Sequence, residues 1–280
     1  MNSSDFSLGG FLRRHRDLLR PDHQPDARRR VPGARRDEIA RAAGISTGHY
    51  ARLEQDRAAR PSWQTAAALA RDLTLDDEAA AQLYRLARPT ARRSRPARRE
   101  RVSPEVRRLI DDWSRAAAIV IDTAQDVLAR NAPASALHAP FTRDDNMLHM
   151  IFLDPAAARY FGDWNKAAAD AVADLRRAVR EAPDDPRLTT LVGELAINSA
   201  PFRRLWAARE TASTGHHLHL FHPEVGELHL TTEIFPISRA AGQRLITHQA
   251  EPGSSSADAL ILLGTLVPRT DTTAGAEKRP

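Results

Sequence analysis

Residues 36–55, RDEIARAAGISTGHYARLEQ, constrain this chain more than any other stretch. Two helices joined by a tight turn at a wide angle need three things: a small residue where they nearly touch, a glycine at the turn, and apolar inner faces. Ala40 supplies the small contact, Gly44 the turn, and Ile39, Ala43, Ile45, Tyr50 and Leu53 the inner faces. Ser46 stands where an N-cap precedes the second helix, so that its hydroxyl can accept an orphan backbone N–H. The outer face is then Thr47, Gly48, His49, Ala51 and Arg52, with Arg57 and Arg60 in the following loop. A short, polar and basic face of this kind suits a nucleic-acid groove.

Charge supports that direction. The net +5 of the 280 residues hides an asymmetry: residues 1–101 carry 22 arginines against 13 acidic residues, net +9, leaving 19 basic against 23 acidic residues, net −4, in the remainder. A basic N-terminal half implies a polyanionic partner, and an acidic C-terminal half implies a different task. Cysteine is absent, which excludes disulfides, thiolate metal sites, iron–sulfur clusters and cysteine nucleophiles and fits a reducing compartment. No stretch approaches the roughly 20 apolar residues of a membrane span, and Met1–Asp5 reads as neither the basic nor the apolar part of a secretory signal. A cytoplasmic protein without membrane contact is expected.

The chain divides by composition. Residues 20–36 (RPDHQPDARRRVPGARR) read as an exposed loop between helices, 89–104 (PTARRSRPARRERVSP) as an arginine- and proline-rich linker, and 268–280 as a flexible tail. Before the linker every apolar pattern is helical: Leu8, Phe11, Leu12, His15, Leu18 and Leu19; Ile39, Ala40 and Ala43; Trp63 to Leu73; Glu78 to Ala87. With the helix after Ser46 this makes five short helices over residues 1–88. In residues 105–267 helices are expected over Val106–Ile121, Pro155–Tyr160, Trp164–Arg180, Pro186–Ala196 and Pro201–Glu210. His217–Phe221 and Glu227–Phe235 alternate in steps of two around Pro223–Gly226 and form a hairpin, with Gln243–Glu251 as a third strand and Ser255–Leu263 as a closing helix. The fold class is multidomain: an all-α five-helix domain followed by an α+β domain.

The segments Ile39-Ala40, Ala43-Gly44-Ile45-Ser46 and Tyr50-Ala51-Arg52-Leu53-Glu54-Gln55 resemble the helix-turn-helix of Cro/repressor-like (XRE) regulators, a likeness that covers Leu8 to Ala87 and includes the five-helix layout. The resemblance implies double-stranded DNA as partner, with the second helix in the major groove. Thr47, Gly48 and His49 then approach base edges, and Arg52, one turn further, reaches a base or a phosphate. Arg35, Arg57 and Arg60 neutralise phosphates, and Arg36 and Ser46 belong to the same face. Glu54 has the wrong sign for DNA and is expected to pair with an arginine inside the domain.

The second half resembles the ligand-binding domain of MmyB-like transcription regulators, a PAS-like module. The matching text includes Gln125-Asp126-Val127-Leu128-Ala129-Arg130-Asn131, Asn146-Met147-Leu148, Phe152-Leu153-Asp154-Pro155, Asp163-Trp164, Leu191-Val192-Gly193-Glu194-Leu195 and His222-Pro223-Glu224-Val225-Gly226-Glu227-Leu228. The family pattern has tryptophans near Gln125 and at Arg130, where this chain has none. The resemblance implies a small, largely apolar, fatty-acid-like ligand that alters DNA binding. The apolar residues available to line a pocket are Trp113, Val120, Val127, Phe152, Phe161, Trp164, Phe202 and Trp206; His222, beside Pro223, either orients the turn or faces the pocket. The same residues also suffice simply to build a core. A homodimer is expected, because one recognition helix spans few base pairs.

Other constellations carry less. His216, His217, His219, His222 and His229 cluster in sequence, and if Phe221 pairs with Glu227 then His219 lies opposite His229, so that imidazoles can converge on zinc or copper. The alternation puts Leu218, Leu220, Leu228 and Leu230 on the other face and assigns these histidines to the polar side of a half-buried hairpin, so no metal or other cofactor is expected. The acidic pairs Asp111-Asp112, Asp144-Asp145 and Asp184-Asp185 sit near helix starts or in loops. There is no phosphate-cradling glycine loop, no HExxH and no nucleophile elbow, so no enzyme is expected. The alternatives are a small-molecule-binding protein or enzyme with a vestigial helix-turn-helix, and an RNA- or membrane-associated regulator that uses only the basic tract.

Overall fold

The computed structural model describes residues 7–19, 33–87, 101–208 and 217–266. Most of the expected loop over 20–36, most of the 89–104 linker and the tail from 268 lie outside the described residues. The first helices are α1 (Leu8–Leu18), α2 (Arg36–Ala42), α3 (Thr47–Glu54), α4 (Trp63–Asp72) and α5 (Asp77–Ala87). There follow α6 (Pro104–Asp111), β1 (Ala116–Ile121), β2 (Val127–Arg130), α7 (Ala132–Leu137), α8 (Met147–Phe152) and α9 (Ala157–Tyr160). The last elements are α10 (Trp164–Glu181), α11 (Pro186–Asn198), α12 (Ala200–Ala207), β3 (His217–His222), β4 (Gly226–Pro236), β5 (Arg244–Gln249) and α13 (Ser255–Leu266).

These elements form two compact units that are not consecutive along the chain: Met1–Ala97 with Ala171–Ala212, and Arg98–Asp170 with Ser213–Pro280. In the first, the five expected helices all form. Ser7, Ser46 and Ser62 each cap a helix by accepting a backbone N–H, and Gly44 turns the chain between α2 and α3 at φ +69, a left-handed conformation that costs a side-chain-bearing residue about 1–2 kcal/mol. Leu12, Ile39, Ala40, Tyr50, Leu53, Leu69 and Leu83 build one core, each large aliphatic side chain contributing about 1.5–3 kcal/mol by leaving water. Helices α11 and α12 lie against α4 and α5 in this unit. The Trp63 indole N–H donates to the Thr189 carbonyl at 2.5 Å, and Arg204 pairs with Asp77 at 2.7 Å.

The second unit is built on a five-stranded antiparallel sheet in the order β2-β1-β5-β4-β3. Its larger core packs Ala117, Ile119, Ile121, Leu220, Leu228, Leu230 and Ile246 against α7, α9 and α13 residues such as Leu137, Tyr160 and Leu260. A smaller cluster, Ile110, Ala118, Val120, Ala129 and Leu245, covers the other face of the same strands.

The expected helix over Val106–Ile121 is corrected here: it ends at Asp111, and Ala116–Ile121 is the strand β1. Five of the six residues AAAIVI are buried, because both faces of this strand are covered, and a strand covered on both sides shows no alternation. β2, α7 and α8 are additions to the sequence reading. Asn131 ties this region together. Its Oδ1 accepts from the Ala118 and Ala134 N–H groups at 2.9 and 3.0 Å, and its Nδ2 donates to the carbonyls of Trp113 and Ala116 at 2.9 and 2.8 Å. One buried amide thereby joins the end of α6, the start of β1 and the cap of α7.

Candidate nucleic-acid interface

The outer side of α3 faces solvent. Ser46, Thr47, Gly48 and Arg52 are exposed and His49 and Ala51 half-buried, whereas Tyr50, Leu53 and Glu54 are buried. Ser46 spends its hydroxyl oxygen on the His49 backbone N–H at 3.1 Å, which fixes the start of the helix. Among the described residues, nothing beyond its chain neighbours and the backbone of α3 lies within 4 Å of where a Cβ on Gly48 would stand. Packing inside the protein therefore does not account for a glycine there, whereas close backbone approach to a surface outside it would.

Beneath this face Glu54 organises the unit. Its side chain is fully buried, with Oε1 accepting from Arg16 Nε and Oε2 from Arg36 Nε, both at 2.6 Å. Burial opposes charge on the Arg16 guanidinium, but the bonded Glu54 carboxylate outweighs it and holds the group above its ordinary range. The Glu54 backbone carbonyl accepts from Arg13, and the Asp56 carboxylate accepts the Gly9 N–H at 2.8 Å, so α1 is clamped to the end of α3. The basic residues expected at the DNA face therefore differ in freedom. Arg36 is tethered to Glu54, and exposed Arg60 donates to the Leu86 carbonyl. Arg35 is exposed, its backbone N–H capped by Glu38 at 2.8 Å, and Arg57 rests on the Gln55 amide oxygen at 3.4 Å.

The nine residues proposed to line a ligand pocket fall on both faces of the sheet and in both units. Trp113 and Val120 belong with the smaller cluster on one sheet face, and Val127, Phe161 and Trp164 pack on the larger core at the opposite face. Phe152 meets Trp164 edge-to-face at 6.0 Å, and the Trp164 indole N–H donates to the Ile151 carbonyl at 3.0 Å. Phe202 and Trp206 stack on each other at 5.5 Å in the unit that contains the five N-terminal helices. The separation follows from strand alternation, which sends Val120 and its neighbours Ile119 and Ile121 to opposite faces, and from the assignment of α12 to the other unit.

His222 is buried with both nitrogens engaged. Nδ1 lies 3.2 Å from the Glu224 N–H and must accept it, so Nε2 carries the proton and donates to the Ala136 carbonyl at 3.1 Å. Burial lowers its pKa, and the neutral ring orients the turn at Pro223. Beside His149, two further buried imidazoles, His138 and His248, sit in no motif that would single them out in the sequence. Burial holds both below their ordinary range, His248 at about 4. The hairpin register is the expected one, with His219 opposite His229 and Phe221 opposite Glu227.

A five-helix bundle presenting a polar recognition-type helix, combined with a PAS-like α+β sheet, defines a two-part, ligand-responsive DNA-binding transcription regulator. Residues 7–83 match a family model described as a helix-turn-helix domain, and residues 102–263 match the MmyB-like transcription regulator ligand binding domain. The second match spans more than half of the chain, which belongs to that family. No curated protein matches the chain. The matched segment 102–263 includes α11 and α12, which pack in the unit of the helix-turn-helix. Among the described residues, no helix is long and apolar enough to cross a membrane.

Proposed function

We propose that this protein is a cytoplasmic, non-enzymatic, homodimeric regulator that reads a specific operator through α3 and releases or gains it when a fatty-acid-like molecule binds the sheet-containing unit. The observation that carries the reading is the two-sided character of α3: Tyr50, Leu53 and Glu54 lock one side into the bundle while Thr47, Gly48 and Arg52 stand in solvent. Thr47, Gly48 and His49 lie in the first turn, where a recognition helix meets base edges, and Arg52 follows one turn later. Arg35 and Arg57, at the margins, supply phosphate contacts and hence salt dependence.

An aromatic assembly in the second unit is the proposed place for an apolar ligand. Phe141, Tyr160 and Phe161 contact one another with centroids 4.7–6.2 Å apart, near the Phe152–Trp164 pair, so Val127, Phe152, Phe161 and Trp164 are the proposed lining. A ligand there changes DNA affinity only by binding the DNA-competent and incompetent states unequally.

Gel shifts on duplexes selected from a random pool, run at several salt concentrations, test this reading. Arg52→Ala is expected to weaken specific binding by about 1–3 kcal/mol if it reads a base, and Arg57→Ala to weaken all duplexes alike. Binding that ignores both substitutions removes α3 from the interface. Native mass spectrometry of tag-free protein, with and without a long-chain fatty acid, reads ligand and dimer together.

A further inference from the structure

We infer that His219, Glu227 and His229 form a binding site for a late first-row divalent cation, zinc first, on the polar face of the β3–β4 hairpin. Nε2 of His219 lies 2.7 Å and Nε2 of His229 3.2 Å from the same Glu227 Oε1. The two imidazoles are stacked, with centroids 4.5 Å apart and planes 10° from parallel, and one ligand atom from each of the three residues lies within 4.8 Å of the others. Ligand atoms around a tetrahedral zinc stand about 3.3 Å apart, so the donors are already within reach, and closing on an ion requires the two stacked rings to tilt until both Nε2 lone pairs meet at one point.

The fold holds these donors together for reasons independent of a metal. Leu220, Leu228 and Leu230 are buried in the core on the opposite face, and a slip of one residue would expose them all, so the register that aligns His219 with His229 is strongly specified. Glu227 joins the pair because it pairs with Phe221 and therefore sits diagonally from His219 on the same face. The Gly162 N–H donates to the His219 carbonyl at 2.9 Å, and a Cβ at 162 would run into the His219 ring. A glycine there lets the backbone of one neighbouring segment close over the imidazole and hold it.

The donor chemistry selects the ion. Two imidazole nitrogens and one carboxylate oxygen, with a position open to solvent, match a three-ligand zinc site and suit nickel and copper by the same preference for nitrogen. Calcium and magnesium call for oxygen-rich sets and are not accommodated. Because β3 is the edge strand of the sheet, a metal here cross-links it to β4 and resists fraying of that edge.

The test uses the full chain without a histidine tag, stripped by a chelator and titrated with zinc against a chromophoric competitor, with magnesium as the control ion. One equivalent of zinc is expected to bind. His219→Ala is expected to abolish that binding, and His229→Ala and Glu227→Gln to weaken it at least about tenfold, the low end of what losing even an outer-sphere partner costs at a metal site. His217→Ala should leave it intact. Equal unfolding midpoints of the stripped variants show that they fold. Failure to compete for zinc, unchanged binding in His219→Ala, or loss of binding in His217→Ala overturns the assignment. DNA binding of the stripped protein is measured in parallel, so failure of the metal site is distinguishable from failure of the regulator reading.

Discussion

Trp63, the first residue of α4, donates its indole N–H to the carbonyl of Thr189 in α11. The same ring lies over Gly193, where an added Cβ would stand 2.5 Å from Cζ2, and tilts against Tyr84 at 5.8 Å. A helix that the family match counts with the ligand-binding module thus forms part of the packing of the DNA-binding unit. Trp63→Ala is expected to destabilise that unit by about 3–5 kcal/mol, the usual cost of emptying a buried tryptophan site, and Trp63→Phe by less. Gly193→Ala should also destabilise it through overpacking. Urea denaturation followed by far-UV circular dichroism reads all three. A Trp63→Ala midpoint equal to that of the parent would show that α11 adds nothing to the unit.

Glu54 and Arg52 are two residues apart and should fail in different ways. Glu54→Ala takes from buried Arg16 its shortest ion pair, leaving it Asp17 and the Ala34 carbonyl, and releases Arg36; it is expected to cost up to about 3–5 kcal/mol and to remove DNA binding by loosening the bundle. Arg52→Ala, on the exposed side, should change stability by no more than about 0.5 kcal/mol while weakening the specific complex. Parallel melting and gel-shift curves separate the two.

Glycines 44 and 48 make a second contrast. Gly44→Ala forces a side chain into a left-handed turn and should cost about 1 kcal/mol or more. Gly48→Ala meets no described residue outside its own helix and replaces a helix-weakening residue, so the free protein should gain up to about 1 kcal/mol. If the backbone at 48 approaches a groove, the same change lowers DNA affinity. A variant that is more stable and binds as well as the parent places that backbone away from the duplex.

The buried histidines of the sheet unit predict an acid-sensitive fold. His248, bonded through Nδ1 to Thr232 at 2.9 Å, is held by burial near 4 against an ordinary 6.5. His138 is lowered in the same direction by burial and by the charges of His248, Arg130 and His222. A depressed folded-state pKa means that the unfolded chain binds more protons between the two values, so stability should fall as pH drops from about 6.5, the His248 contribution levelling off near 4. For His248 the loss is about 3 kcal/mol. Unfolding midpoints across that range should vary less steeply in His248→Gln; a pH profile identical to the parent's would show that this imidazole already protonates in the folded state.

Much of the fold was legible where the signal is local. The five N-terminal helices, the Gly44 turn, the Ser46 cap and the β3–β4 register all follow from spacing within some twenty residues. β1 was not legible, because Ala116–Ile121 is covered on both faces and its composition fits a buried helix equally well. The motif residues of the second half proved mostly architectural. Asn131 binds three segments; Asp154 Oδ2 accepts two N–H groups and the Thr142 hydroxyl, and Trp164 closes on Ile151. Glu227 sits diagonally from His219 in the same hairpin register, so its place beside both histidines follows once that register is set.

The sequence alone determined the helix-turn-helix, its solvent-facing residues and the hairpin, since backbone propensity, capping and apolar periodicity act over one or two turns. Only the tertiary structure decided that α11 and α12 pack beside α4 and α5, and that the proposed ligand residues divide between two sheet faces and two units. Those outcomes depend on which distant surfaces exclude water together, and no short window of residues encodes that choice.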